Sequence, residues 1–112
     1  MKRKIIVCNA FSVGMLGGLG YAEVHFERIF EDEASSWLKD PVCYIESAVG
    51  HEDTAKLFSS LLDVEIIKNR IDVKLDRTAD LLVGQITGGR LPEGTTILPP
   101  GVSVIWYRIW LE

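Results

Sequence analysis

The 112-residue chain is long enough to bury roughly two-thirds of its unfolded surface, which builds one core and not two, so a multi-domain enzyme is excluded. Apolar residues make up 47% and charged residues 25%, an ordinary globular balance with no low-complexity stretch or long charge run. Twelve basic against sixteen acidic side chains leave a formal charge of -4, which disfavours adhesion to long duplex nucleic acid or an anionic membrane but leaves room for a compact anion held by a few local donors.

In chain order, Lys2, Arg3 and Lys4 followed by an apolar run imitate a secretion leader, but Asn9 and Ser12 interrupt the run, so it reads as structure. Ile5–Val7 predicts a buried first strand that delivers Asn9, Phe11 and Ser12 to its C-terminal edge. Gly14, Gly17, Gly18 and Gly20 predict a loop, and residues 23–29 alternate polar and apolar as a half-buried strand does. Residues 31–39 predict the first helix, with acids in its first turn, Lys39 in its last and Pro41 beyond its end. Residues 42–47 predict a short strand, and Ala55, Phe58, Leu61 and Leu62 mark one face of a second helix that begins at or just after His51. Residues 70–76 alternate and predict a strand with one wet face, residues 81–86 a more central strand, residues 87–100 a turn-rich stretch, and residues 102–111 a closing aromatic strand. The order predicts a single α/β domain over residues 1–112, a mixed sheet of about five to six strands flanked by helices.

Cys8 and Cys43 cannot make a disulfide framework and show no metal-ligand spacing, which fits a reducing cytoplasm. No apolar stretch approaches the roughly 20 residues that span a bilayer. The glycine cluster is not a phosphate loop: position 23, where Gly-x-Gly-x-x-Gly would need glycine, is Glu23, and no Walker lysine follows. His25, with no second His or Cys nearby, reads as a strand residue rather than a metal ligand. His51 stands beside a helix N-terminus, where backbone N–H groups attract anions, although on spacing alone the leading reading is a helix-capping or partner-bonded histidine. Arg90 and Glu93, three apart across the turn shaped by Pro92 and Gly94, can point to one side or form a solvated turn with a weak ion pair.

Four segments together carry a resemblance: Asn9-Ala10-Phe11-Ser12, the run from Ser47 through Gly50-His51-Glu52-Asp53-Thr54 to Leu57, Asn69 to Leu75, and Arg90-Leu91-Pro92-Glu93-Gly94. They resemble, in order and over nearly the whole chain, the viral anti-CRISPR ring nucleases that counter type III CRISPR immunity. The resemblance implies a homodimer, in the host cytoplasm if the source is viral, that degrades the second messenger cyclic tetra-adenylate with no metal and no cofactor.

In such an enzyme the ribose 2′-hydroxyl of the substrate attacks its own neighbouring phosphate, so the protein supplies orientation, charge stabilisation and a proton for the departing 5′-oxygen. By resemblance His51 is the general acid, Arg90 stabilises the pentavalent phosphate, and Glu93 orients Arg90 or a water or helps deprotonate the hydroxyl. Asn9, Ser12, Arg70 and Gln85 resemble ring contacts, together with Gly50 and the Thr54 hydroxyl at the start of the second helix. The chain departs from the family pattern by one extra residue between Gln85 and Arg90 and by glycine at Gly14, where a polar contact is expected. A same-fold protein that sequesters a cyclic nucleotide without cutting it is the main rival; a DNA-binding regulator is disfavoured by the acidic balance and the lack of a helix-turn-helix signal.

Overall fold

Continuous apolar runs flanked by turn residues produce the centre of the molecule, and period-two alternation produces its rim. The computed structural model describes residues 2–95 and 97–112; Thr96, inside the turn-rich stretch expected from sequence, lies outside them. The elements are β1 (Arg3–Cys8), a 3-10 turn (Val13–Leu16), β2 (Val24–Ile29), α1 (Glu31–Leu38), β3 (Cys43–Ser47), α2 (Glu52–Leu62), β4 (Ala79–Thr87) and β5 (Ser103–Leu111).

They form one five-stranded mixed sheet in the order β2-β5-β4-β1-β3. β1 pairs in parallel with β3 and β4, whereas β5 runs antiparallel to both β4 and β2. The chain therefore places β3 on one side of β1 and crosses through α2 to place β4 on the other. Both helices cover the same face. Ile5 and Val7 of β1, Leu82 and Trp106 pack there against Ala34, Leu38, Ala55, Leu57, Phe58 and Leu62.

The packing on that face explains one glycine. Trp106 and Phe58 meet edge to face at 4.9 Å between ring centroids, and a Cβ at Gly84 would lie 2.5 Å from the indole and 2.7 Å from the phenyl ring. Only a residue without a side chain fits beneath the pair. α1 is tied to the sheet through Trp106 Nε1–H, which donates to Glu31 at 3.2 Å, while Glu33 accepts the Phe30 N–H at 3.1 Å and satisfies one free donor of the first turn.

One expectation is corrected. Residues 70–76 do not join the sheet, which has five strands among the described residues. The stretch is extended, with Leu75 buried, but it lies over the second sheet face and its Leu75 N–H donates to Met15 O at 2.9 Å instead of to a strand. The glycine-rich loop contains a 3-10 turn, and Met15, Leu16 and Leu19 pack on that second face beside Ile6, Cys8, Leu81, Val83 and Ile109. Helices thus cover one face and irregular chain the other.

Candidate functional site

β1, β3 and β4 run in parallel and end side by side, and in open α/β sheets the crevice beyond such ends is where ligands bind. Most of the residues singled out from sequence collect there. Asn9 follows β1 directly and is half-buried; Ser12 precedes the 3-10 turn and, among the described residues, makes no side-chain cap bond. Both line a cleft of about 370 Å³ together with Gly14, Ala48, Ile71 and Lys74. Asn9 also lines an adjoining cleft of about 330 Å³ with Phe11, Gln85 and Tyr107. Gln85 is the first exposed position of β4 after six buried ones.

Gly50, His51 and Thr54 occupy the corner between β3 and α2. A local network holds this corner: Asn69 N–H donates to Val49 O at 2.8 Å, Asn69 Nδ2 to Ser47 O at 2.7 Å, and Ser47 Oγ to Ile67 O at 2.5 Å. The network lays Arg70 across Gly50, where a Cβ would be 3.5 Å from Arg70 Nε. Arg70 is thereby set one residue from His51 on the chain surface. His51 is the N-cap of α2, with extended backbone angles and its carbonyl accepting the Ala55 N–H at 3.0 Å. Its ring makes no capping hydrogen bond and is exposed, so the capping role open to it from sequence is not the one it plays.

Arg90 and Glu93 come from the other side. After β4, Gly88 takes a φ of 89° and Gly89 one of 146°, turning the chain out of the sheet; a Cβ at Gly88 would strike the Gly101 carbonyl. Leu91 then packs against the helix-side core, and the Gly94 N–H donates to Asp53 Oδ2 at 2.7 Å. That bond tethers the Arg90–Glu93 turn to the first turn of α2, two residues beyond His51. Among the described residues neither Arg90 nor Glu93 makes an ion pair or a side-chain hydrogen bond, so the local pair considered from sequence is not formed. Neither of the two clefts includes His51, Arg90 or Glu93, all three of which are exposed.

Arg70 and the Arg90 turn stand by the N-terminus of α2, and Asn9, Ser12, Lys74 and Gln85 line the clefts, donor types suited to phosphates and base edges. Cys8 borders the first cleft, but burial pushes its thiol up to about 11, which outweighs the lowering from its bond to Ala10 O and leaves no thiolate nucleophile. Asp53, Asn69 and Ser47 are the positioning residues that sequence reasoning missed. A larger groove of about 600 Å³ along α2, lined by Glu52, Lys56, Ser59, Asp63 and Glu65 among others, contains none of the candidates, and its mixed charges converge on no group. No helix of the described residues is long and apolar enough to cross a membrane.

Comparison with known proteins gives three likenesses. The STIV B116-like family model matches residues 5–107. "Uncharacterized protein 26" of Sulfolobus islandicus filamentous virus (isolate Iceland/Hveragerdi) is 35% identical over 108 residues, spanning 96% of this chain and 88% of the viral protein. The solved structure of B116 of Sulfolobus turreted icosahedral virus superposes with a TM-score of 0.76 at 24% identity, over 96% of this chain and 98% of that one, and shares the fold.

Proposed function

This chain belongs to the STIV B116-like family, represented by proteins of Sulfolobus viruses, and on that premise we propose that it is a metal-independent ring nuclease. Its substrate is cyclic tetra-adenylate, its products are linear di-adenylates with 2′,3′-cyclic phosphate ends, and its effect is to switch off type III CRISPR signalling. The observation that carries the proposal is the Gly94–Asp53 bond, which brings the Arg90–Glu93 turn to the same end of α2 as His51.

The chemistry needs no outside nucleophile. A substrate 2′-oxygen gives up its proton and bonds to the adjacent phosphorus, the bond from phosphorus to the 5′-oxygen breaks, and the protonated His51 imidazole gives that oxygen its proton. Arg90 stabilises the charge on the pentavalent phosphate, and Glu93 orients Arg90 or helps deprotonate the 2′-hydroxyl. Arg70, Asn9, Ser12, Thr54, Gln85 and the Gly50 backbone hold the ring in line. Each cleft has the size that suits a single small ligand, roughly 300–1,000 Å³. A ring of four nucleotides exceeds it, so two copies related by a two-fold axis enclose the ring and present two His51 residues to opposite phosphates.

The test is incubation with cyclic tri-, tetra- and hexa-adenylate in excess EDTA, with products resolved by chromatography and mass. Two products, each half the mass of the tetra-adenylate ring with no water added, are expected. Tight binding without cleavage would instead make the protein a sequestering one, and light scattering that reports a monomer with and without ligand would remove the two-fold site.

A further inference from the structure

The opposite end of the sheet carries a second cluster, which shares no residue with the candidate site. β2 is an edge strand, and Val24 pairs with Leu111 and His25 with Trp110 of β5. The Glu112 N–H donates to Glu23 O at 3.0 Å, which extends the ladder by one pair and sets Glu23 directly across from Glu112. Alternation puts positions 23, 25 and 112 on one face, that of the helices. His25 Nε2 lies 2.6 Å from one Glu112 carboxylate oxygen and 3.8 Å from one of Glu23, and the three ligand atoms all fall within 4.8 Å of one another.

The imidazole is held in place by stacking. His25 lies on Trp110 at 5.5 Å between centroids and 16° between planes, and the Arg108 guanidinium sits 5.0 Å from Trp110 and 5.1 Å from Trp37. Arg108 is fixed in turn by the buried Asp80 carboxylate at 3.3 Å. His25 Nε2 itself is closed off from solvent and has no hydrogen bond along its N–H direction, because the nearby carboxylate oxygen lies off that line. Two carboxylates directly opposite each other on paired strands repel, and a cation among the three ligand atoms relieves that cost. A neutral imidazole and two carboxylates carry two negative charges, the complement of a divalent ion.

We infer that Glu23, His25 and Glu112 form a binding site for a divalent transition-metal ion of the zinc class that staples the end of β2 to β5. One nitrogen and two carboxylate donors with a water in the fourth position suit zinc, whereas magnesium and calcium prefer all-oxygen shells. The site lies beyond the N-terminal ends of the parallel strands, and His51 beyond their C-terminal ends, so the metal is structural and takes no part in cleavage. Sequence reasoning set His25 aside because no second His or Cys stands near it; the fold supplies two carboxylates instead.

The experiment titrates the metal-free full-length protein with zinc chloride near neutral pH by calorimetry and follows melting temperature and tryptophan fluorescence. One zinc per chain is expected, with a rise in melting temperature and a fluorescence change reporting the Trp110 stack, while magnesium at the same concentration does neither. His25→Phe keeps a ring on Trp110 but removes the ligand nitrogen, and it abolishes the response. Glu23→Gln and Glu112→Gln, at exposed positions that leave folding intact, each weaken binding by about ten-fold or more. No stoichiometric binding at about 100 µM zinc overturns the site. So does binding that survives unchanged in His25→Phe or in both glutamine variants, which would assign the ion to His51 or Cys43.

Discussion

Replacing His51 by alanine separates chemistry from folding, because the structure leaves the ring little structural work. An N-cap side chain that bonds a first-turn N–H is worth about 1 kcal/mol, but His51 makes no such bond and is exposed. The stability change should therefore stay within about 0.5 kcal/mol, the range of surface substitutions. For a chain of this size that is a shift of roughly 2–4 °C in Tm. Loss of a general acid costs roughly 10²- to 10⁴-fold in rate. At about 1.4 kcal/mol per decade, this is some 2.7–5.4 kcal/mol of transition-state stabilisation, at least five times the expected change in folding. The assay is single-turnover cleavage of cyclic tetra-adenylate with protein in excess and EDTA present, beside a thermal melt and a calorimetric measurement of ring affinity, which should barely change. A His51→Ala protein that is folded, binds the ring and cuts at the parental rate removes His51 from the reaction. A Tm fall of more than about 8 °C refutes the other half of the reasoning, that the ring carries no structural contact.

Arg90→Ala should weaken ring affinity and the bond-breaking step together, each by roughly ten-fold or more, because a charge-assisted phosphate bond worth about 1.5–3 kcal/mol acts in both states; binding isotherms and single-turnover rates read the two effects. Asp53→Ala removes the acceptor of the Gly94 N–H and should lower the cleavage rate several-fold while costing under about 1 kcal/mol of stability, its helix-dipole contribution; an unchanged rate would show that the Arg90–Glu93 turn needs no tether. Gly84→Ala pushes a methyl group into Trp106 and Phe58, both essentially without solvent exposure, and should cost about 1–3 kcal/mol in denaturant melts, with partial rescue by Phe58→Leu. Cleavage should persist in excess EDTA, and loss on chelation restored by a divalent ion would defeat the mechanism.

The strands and helices with strong local signals were legible in the residues: the Ile5–Val7 run, the acid-rich start of α1, the three-and-four spacing of α2 and the aromatic β5 all appear within a residue or two of the expected bounds. Residues 70–76 show where such reading stops. Alternation reports an extended backbone with one buried side, and Leu75 is indeed buried, but whether that backbone finds a strand partner depends on sheet order, which is written in no local pattern. The same reason hides the covering role of the glycine-rich segment. At the site, Asn9 and His51 could be placed because strand ends and helix starts are marked by composition. The tether between Asp53 and Gly94, forty-one residues apart, and the Asn69 bond to Ser47, twenty-two apart, join segments whose proximity only the crossover through α2 creates.

The unequal covering of the two sheet faces makes the candidate site part anvil and part jaw. His51 and Thr54 belong to a helix whose buried residues lock into the main core. Asn9 and Ser12 belong to chain whose backbone bonds are few and mostly short-ranged, Met15 N–H to Ser12 O, Gly17 N–H to Gly14 O and Leu19 N–H to Leu16 O, with a long-range anchor from Leu75 N–H to Met15 O. Rearranging such chain sacrifices little hydrogen bonding, so in the proposed reaction the wall that holds the ring can conform to it while the proposed proton donor, His51, keeps its position, and the ordering cost falls on the wall alone. Amide exchange should register the difference as fast exchange across residues 10–20 against slow exchange in β1, β4 and the α2 interior.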